Sequence, residues 1–172
     1  SMQQIFRWFD ADRTIHFPSL HKVIAGTHYE KSVIAGIDEV LTEQGLVKDD
    51  TSAELARIRL SLFRKRNELR RQFDRIIQKL NKAGFAADIE ESFLNGRRVV
   101  AIEAEFKRQV KGIFHGESDT RKTTFIEPEE TIELNNEIFT LESDESKEVY
   151  RILRELTKHL SVYATLLVNW HD

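Results

Sequence analysis

The chain has 172 residues, with 26 Lys and Arg against 29 Asp and Glu, so its formal net charge is −3. It contains no cysteine, which excludes disulfides and thiolate metal sites and fits a cytoplasmic protein. Only seven glycines and two prolines interrupt it, no apolar run approaches the roughly 18 residues that span a membrane, and no secretory signal opens it, so we expect a helix-rich protein without membrane contact.

Short helices are expected in residues 2–50, and a first long helix in residues 51–84. The long helix is predicted because apolar residues recur every seventh position and neither glycine nor proline interrupts them. These residues are Leu55, Leu62, Leu69 and Ile76, flanked by Ile58, Phe73 and Leu80.

The apolar period changes in residues 85–128, which we predict to be a small antiparallel β subdomain. Strands 88–94 and 97–103 surround Asn95-Gly96, a pair that supplies the two positive φ angles of a type I′ hairpin turn. Two further short strands are expected at 111–114 and 123–126.

A second long helix is expected in residues 129–172. Its apolar stripe consists of Leu134, Ile138, Leu141, Val149, Ile152, Leu156, Leu160, Tyr163 and Leu167. Two such stripes can bury each other as an antiparallel coiled coil. The predicted fold class is therefore α+β and mainly α, with a long antiparallel helix pair and the small antiparallel sheet between the helices.

Charge is distributed unevenly along the chain. From 52 to 83 there are ten Lys and Arg against three Asp and Glu, a net of +7, and from 127 to 148 there are nine Asp and Glu against one Lys, a net of −8. The two segments either pair with each other in part, or the basic one binds an outside polyanion. Charge runs on long helices more often serve solubility.

A near match to a phosphate-binding loop lies at residues 116–123, where Gly116 is followed after four residues by Arg121-Lys122-Thr123. Such a loop needs a second glycine where Arg121 stands, and a helix must follow it. The β-rich residues 123–126 follow instead. We therefore predict no nucleotide site here.

No catalytic or metal site is predicted from the remaining polar residues. His16, His21 and His28 match no metal-ligand spacing, and His115 has no identifiable nucleophile or base partner. The acidic residues Glu127, Glu129, Glu130 and Glu133 could form a carboxylate cluster. We interpret them instead as the first turn of the second long helix, where the helix dipole favours negative charge.

Cations concentrate in the predicted sheet region and suit contact with phosphate backbones without reading of bases. The other interpretation is a solvated charged surface without a partner. These candidate nucleic-acid-binding residues are Arg97, Arg98, Lys107, Arg108, Lys111, Arg121 and Lys122.

Four segments together resemble the MutS family, in particular the paralogue branch without mismatch-recognition domains. Segment 49–59 (DDTSAELARIR) is similar to that branch's opening of a long helix, and segment 95–102 (NGRRVVAI) to one of its strands. Segment 111–118 (KGIFHGES) resembles its "xGIVHdeS" motif. Segment 123–136 contains TTFIEP followed by ELNN and is the most specific match. The resemblance covers roughly residues 17–160.

The sequence departs from the family pattern at two positions. Family members usually carry proline where Ala101 stands and glycine where Arg121 stands, so the turn around Arg121 is atypical. No sequence of the family's ATPase domain is present. The resemblance therefore implies a fragment, namely the core, lever and clamp regions of a longer protein, with ATP, Mg²⁺ and homodimerisation sites in the missing part.

By resemblance, residues 2–50 would belong to the core, 51–84 and 129–172 would be lever helices, and 85–128 would be a clamp-like subdomain. The expected function is a non-catalytic DNA-binding segment of an ATPase that acts in mismatch repair or recombination control. Two alternatives stay open: a coiled-coil module for protein interaction or dimerisation, and a segment that binds RNA or the ribosome.

Overall fold

The computed structural model describes residues 2–9, 11–25, 30–83 and 90–171. The chain divides into two compact units, one made of Ser1–Thr51 with Val149–Asp172 and the other of Ser52–Glu148. Across the described residues, no helix combines the length and the apolar character needed to cross a bilayer.

The first unit begins with four short helices. They are α1 (Met2–Trp8), α2 (Ala11–His16), α3 (Pro18–Ile24) and α4 (Lys31–Val40). The side chain of Glu30 caps α4 by accepting a hydrogen bond from the Ser32 amide at 3.0 Å. A single antiparallel bridge, Leu41 to Val47, follows α4.

The second unit contains α5 (Ala53–Lys82), a four-stranded sheet and the first part of α6 (Ile132–Leu160). Ser52 caps α5, because its Oγ accepts a hydrogen bond from the Leu55 amide at 3.0 Å. The apolar positions predicted along this helix are confirmed as its buried face, although Ile76 is only partly buried. The buried residues are Leu55, Ile58, Leu62, Leu69, Phe73 and Leu80.

Helices α5 and α6 lie antiparallel within this unit. Arg59 is 2.7 Å from Glu145, and Arg66 is 2.7 Å from Glu142. Lys65 pairs with Glu137. Partners of residues further along α5 therefore lie earlier on α6, so the basic helix and the acidic segment do neutralise each other in part.

The sheet comprises β1 (Glu90–Leu94), β2 (Arg97–Glu103), β3 (Gly112–Glu117) and β4 (Thr123–Pro128), in the order β1-β2-β4-β3 with every pair antiparallel. Asn95 and Gly96 connect β1 and β2 with φ angles of 52° and 77°, which confirms the predicted turn. Residues 88 and 89 of the expected first strand lie outside the described residues.

One face of the sheet packs against the two helices. Val100, Ile102 and Ile126 share a core cluster with Ile58, Leu62, Leu69 and Phe73 of α5 and with Leu134 and Ile138 of α6. This architecture confirms the predicted class, which is α+β, mainly α, with a small antiparallel sheet flanked by helices.

The C-terminal part of the chain differs from the single helix expected up to residue 172. Helix α6 ends at Leu160, a 3₁₀ turn covers Ser161–Tyr163, and α7 runs from Ala164 to His171, while residue 172 lies outside the described residues. At this turn the Ser161 hydroxyl donates to the Lys158 carbonyl at 2.7 Å.

The second half of the predicted apolar stripe also packs differently from expectation. It lies in the unit that contains α4, where His159 lies next to Gly36 and the Ser32 hydroxyl donates to the Tyr163 hydroxyl at 3.0 Å. Of this half of the stripe, Ile152 is buried and Leu167 is 36% exposed.

Candidate nucleic-acid interface

The candidate cations occupy four places in the sheet region. Arg97 and Arg98 open β2, Lys107 and Arg108 follow a 3₁₀ turn at Ala104–Phe106, and Lys111 directly precedes β3. The last two, Arg121 and Lys122, lie in the turn between β3 and β4.

The structure brings Lys107, Arg108, Arg121 and Lys122 to one end of the sheet. The Ala104 amide donates to the Lys122 carbonyl at 2.9 Å, and Lys107 Nζ lies 3.5 Å from Glu117 near the same turn. Lys111 is at the opposite end, because its neighbour Gly112 pairs with Pro128.

Four candidate cations are exposed and free of ion pairs within the part of the chain that the structure describes. They are Arg108, Lys111, Arg121 and Lys122. The surrounding surface is mixed in charge, however. Carboxylates at the same end of the sheet are Glu103, Glu105, Glu117 and Asp119, and two of them line a shallow groove with Lys122.

Arg97 and Arg98 are instead engaged inside the unit. Arg97 donates to Glu127 at 2.7 Å and to Asn136 at 2.6 Å. Arg98 pairs with Glu91, and its guanidinium carbon lies 5.3 Å from the ring centroid of Phe73. Either arginine would have to give up these partners to reach a phosphate, whereas Arg108, Lys111, Arg121 and Lys122 are exposed and pair with no carboxylate among the described residues.

A buried carboxylate holds the sheet together beside these cations. Glu127 is fully buried in β4 and accepts hydrogen bonds from Arg97 at 2.7 Å and from Asn135 at 2.9 Å. His115 Nε2 lies 2.7 Å from its other carboxylate oxygen. The interpretation of Glu127 as a residue of the first helical turn is therefore wrong, since the strand extends to Pro128 and α6 begins only at Ile132.

The pKa of Glu127 is lowered from its ordinary value of 4.5. Burial alone would raise the pKa, but hydrogen bonds from His115, Asn135 and Arg97, together with the positive charge of Arg97, outweigh burial. The carboxylate is accordingly kept ionised as part of a satisfied polar network.

The Asn135 side chain makes hydrogen bonds to the backbone of β2 beyond the point where the pairing of β2 with β4 ends. The last β2–β4 pair at this end is Val100 with Ile126. The Asn135 amide oxygen then accepts from the Arg98 backbone N–H at 3.3 Å, and its nitrogen donates to the Arg98 carbonyl at 3.2 Å. This side chain thus satisfies backbone groups that would otherwise lack partners.

We define the Glu127 network as Arg97, His115, Glu127, Asn135 and Asn136. From the sequence, Arg97 was a candidate phosphate contact, His115 had no identifiable partner and Glu127 was assigned to a helical turn. That these residues meet was not predicted. A signal was present, because Glu127 stands between the apolar Ile126 and Pro128, and a charge inside such a strand requires buried partners.

The turn that resembles a phosphate loop is a β-hairpin turn. Strand β4 follows it, and the Arg121 amide donates to the Ser118 carbonyl at 2.8 Å. Arg121 has a φ of 56°, in the left-handed region that favours glycine. The family's usual glycine at this position therefore has a conformational reason.

No group of three or more potential ligands that could hold a metal ion occurs among the described residues. His28, one of the three histidines considered from the sequence, lies outside them.

Comparisons with known proteins link the chain to one group of relatives. It is 33% identical over 140 residues to Endonuclease MutS2 of Aquifex aeolicus, covering 81% of this chain and 18% of that protein. It is 31% identical over 156 residues to Endonuclease MutS2 of Carboxydothermus hydrogenoformans, covering 91% of this chain and 20% of that protein. With Endonuclease MutS2 of Staphylococcus epidermidis the identity is 30% over 159 residues, covering 92% of this chain and 20% of that protein.

These matches support a relationship to the MutS2 branch of the MutS family, as the sequence motifs suggested. No protein-family model matches the chain. The chain spans about a fifth of the length of the curated relatives it matches.

Proposed function

We propose that this chain is a non-catalytic, DNA-binding lever and clamp segment of a MutS-like ATPase that acts in mismatch repair or recombination control. Its MutS2 relatives are named endonucleases, a class that acts on nucleic acid chains, and they are about five times as long as the matched segment. In this proposal ATP, Mg²⁺ and the homodimer contacts belong to other parts of the longer, cytoplasmic protein.

The observation that carries the proposal is a sheet with exposed, unpaired cations joined to an antiparallel helix pair. Arg108, Lys111, Arg121 and Lys122 lie in turns or next to strand ends, where long side chains can reach a phosphate without entering a groove. Because these cations stand among carboxylates, we expect weak, nonspecific contact that depends on the backbone alone.

The Glu127 network provides the mechanical link that such a segment needs. Glu127 joins β4 to Arg97 of β2 and His115 of β3, and Asn135 joins the same carboxylate to α6. A shift of α6 would therefore move three strands together with the helix. In the proposal, the nucleotide state of the longer protein shifts α6, and the linked movement of the strands changes the affinity of the sheet for DNA.

The test is DNA binding measured by fluorescence anisotropy between 50 and 200 mM salt. The variant R108Q/K111Q/R121Q/K122Q removes the exposed cations of the sheet. We expect the slope of log affinity against log salt to fall by roughly 3 to 4, since each phosphate contact contributes about 0.9.

A matched control removes four exposed positive charges from the other unit, at Lys22, Lys31, Arg154 and Lys158. If both variants weaken binding equally, the sheet has no special role and the proposal fails. Competition with structured RNA tests the RNA or ribosome alternative. A concentration-dependent dimer without any nucleic-acid binding would favour the protein-interaction module.

A further inference from the structure

Helix α5 carries two sets of cations that differ in their partners. Members of one set each face a carboxylate: Arg57 faces Glu54, Arg59 faces Glu145, Lys65 faces Glu137 and Arg66 faces Glu142. The members of the other set are exposed and make no ion pair within the described part of the chain. They are Arg64, Arg70, Arg71, Arg75, Lys79 and Lys82.

Four of the unpaired cations form a straight line along the helix. Arg64, Arg71, Arg75 and Lys82 are separated by seven, four and seven residues. At 3.6 residues per turn, the last three point within about 20° of the direction of Arg64. Eighteen residues at about 1.5 Å each give a line of about 27 Å. We call these four residues the outer stripe, and Arg70 and Lys79 flank it.

The outer stripe lies on the side of α5 that faces away from the core. The helix buries Leu62, Leu69, Phe73 and Leu80, which are offset from the stripe by about half a turn. The stripe residues are all exposed. They are therefore accessible to a partner without any rearrangement of the packed helix.

This surface is far more basic than the sheet end. Between Arg64 and Lys82 the acidic residues of α5 are Glu68, which lies 3.8 Å from Lys65, and Asp74. From elsewhere in the unit, Glu130 lines a shallow groove with Arg75 and Lys79. The cations at the sheet end, by contrast, face an equal number of carboxylates. A concentrated positive stripe on a chain with a net charge of −3 indicates a specific polyanion surface rather than general solubility.

The residue types favour phosphate over a carboxylate-bearing protein. Three of the four stripe residues are arginines, whose planar fork binds phosphate oxygens in pairs, and Asn67 and Gln78 beside them add amide donors. Protein interfaces draw their energy mainly from buried aromatic and aliphatic anchors. The side of α5 that bears the stripe has none between Arg64 and Lys82.

We propose that the outer stripe of α5 is a second nucleic-acid surface, which binds the phosphate backbone of a duplex independently of the sheet cations. This inference goes beyond the proposed function, because it assigns a site on the helix that the sheet proposal does not use. Its ligand is duplex DNA, the same partner as in the proposed function, and duplex RNA enters only as an outcome of the test.

The test uses the whole 172-residue chain with 24-base-pair duplexes of DNA and of RNA as probes. We expect R71Q/R75Q to lower the log–log salt slope of binding by about two, which is one per lost phosphate contact. Gln keeps a helix propensity close to that of Arg, so circular dichroism should show α5 intact.

The matched control is K65Q/R66Q, which removes the same charge from the same helix at paired positions. The inference requires this control to change the slope by less than half as much as R71Q/R75Q. Equal effects of the two variants would overturn it, because net charge alone would then explain binding. It would also be overturned if polyglutamate, but neither duplex, bound in a stripe-dependent way.

The outcome separates this inference from the sheet proposal. Loss of binding in R71Q/R75Q but not in R108Q/K111Q/R121Q/K122Q would support the stripe and refute the sheet site, and the reverse pattern would refute the stripe. Stripe-dependent binding of the DNA duplex would support the inference, and stripe-dependent binding of the RNA duplex alone would overturn the assignment to DNA.

Discussion

In the unit Ser52–Glu148, two helices and two strands bury their apolar residues in one continuous cluster, whereas the other unit leaves many of its large apolar side chains exposed. Among the exposed ones are Ile15 at 75%, Val23 at 78% and Val162 at 76%. Its buried apolar residues among those described are Val33, Val47, Ile152 and Leu166.

The difference has a geometric origin. A sheet face offers a broad surface to two long amphipathic helices, so a continuous core forms. Helices α1 to α4 have only 6 to 10 residues each, and helices this short depend on tertiary packing for their stability. Ser52–Glu148 therefore has a continuous core of its own, while the other unit would gain stability from burying its exposed residues.

The largest expected effect comes from truncating one leucine in each unit. Leu62→Ala in the well-packed core should lower the free energy of unfolding by about 3 to 5 kcal/mol. Leu166→Ala should lower it by less than about 2 kcal/mol, because Leu166 lies among exposed neighbours. Urea denaturation, monitored by hydrogen exchange in each unit, measures both free energies of unfolding. Equal losses of stability in the two variants would contradict the difference in packing between the units.

A glycine substitution in β3 tests how closely the strands of the packed unit approach. A Cβ at Gly112 would lie 2.0 Å from the Glu127 carbonyl oxygen, so G112A should cost about 2 to 4 kcal/mol. Gly116, in the same strand, has a similar backbone conformation but nothing within 4 Å of such an atom. G116A should therefore cost clearly less in thermal unfolding; if it costs as much as G112A, backbone strain rather than the close contact is responsible.

Removing the charge of the buried Glu127 carboxylate tests its contribution to the stability of this unit. E127Q should destabilise Ser52–Glu148 by about 2 to 3 kcal/mol at neutral pH, because Arg97 and Asn135 lose a charged acceptor. Hydrogen exchange in α4 of the other unit should not change. The exposed Glu130 provides a control, and E130Q should change stability by less than about 0.5 kcal/mol.

The pH dependence of the E127Q effect has a definite sign. The folded state lowers the pKa of Glu127 below 4.5, so the stabilisation from its charge is fully present above that value and is lost as the pH falls through the folded-state pKa. Wild type and E127Q should therefore converge in stability at acidic pH. A constant difference between them down to low pH would contradict this account.

The smallest expected change in stability is at the turn between β3 and β4. Arg121 has a φ of 56°, so R121G should relieve strain and stabilise the chain by up to about 1 kcal/mol. K122G removes the same charge at a neighbouring position without a positive φ and should destabilise by about 0.5 to 1 kcal/mol. Shifts of the same sign in calorimetry would exclude the turn geometry as the cause.

Local sequence signals were sufficient for most elements of the packed unit. The heptad spacing from Leu55 to Ile76 identified the inward face of α5, and Asn95-Gly96 identified the hairpin turn, because helical periodicity and turn conformation depend on neighbouring residues. The end of the second long helix was less predictable. Its apolar stripe continues through Leu160 and Leu167, so the pattern gave no sign of the 3₁₀ turn at Ser161–Tyr163 that separates α6 from α7.

At the candidate interface, too, the sequence predicted the location of the residues but not their partners. The sequence placed seven cations in the sheet region but could not separate Arg97 and Arg98, which bind internal partners, from Arg121 and Lys122, which stay exposed. It likewise could not separate Lys65 and Arg66 from the outer stripe of the same helix. Whether a cation is paired depends on which carboxylates lie across the helix pair, far away in sequence.

The sequence by itself determined the fold class, the inward face of α5, the hairpin and the resemblance to the MutS family. Only the tertiary structure decided that Glu127 is buried and that α5 bears one neutralised and one free set of charges. The physical reason is that burial and charge pairing arise between residues distant in the chain, such as Arg97 with Glu127. Helical periodicity and turn conformation depend instead on residues that are close together in the chain.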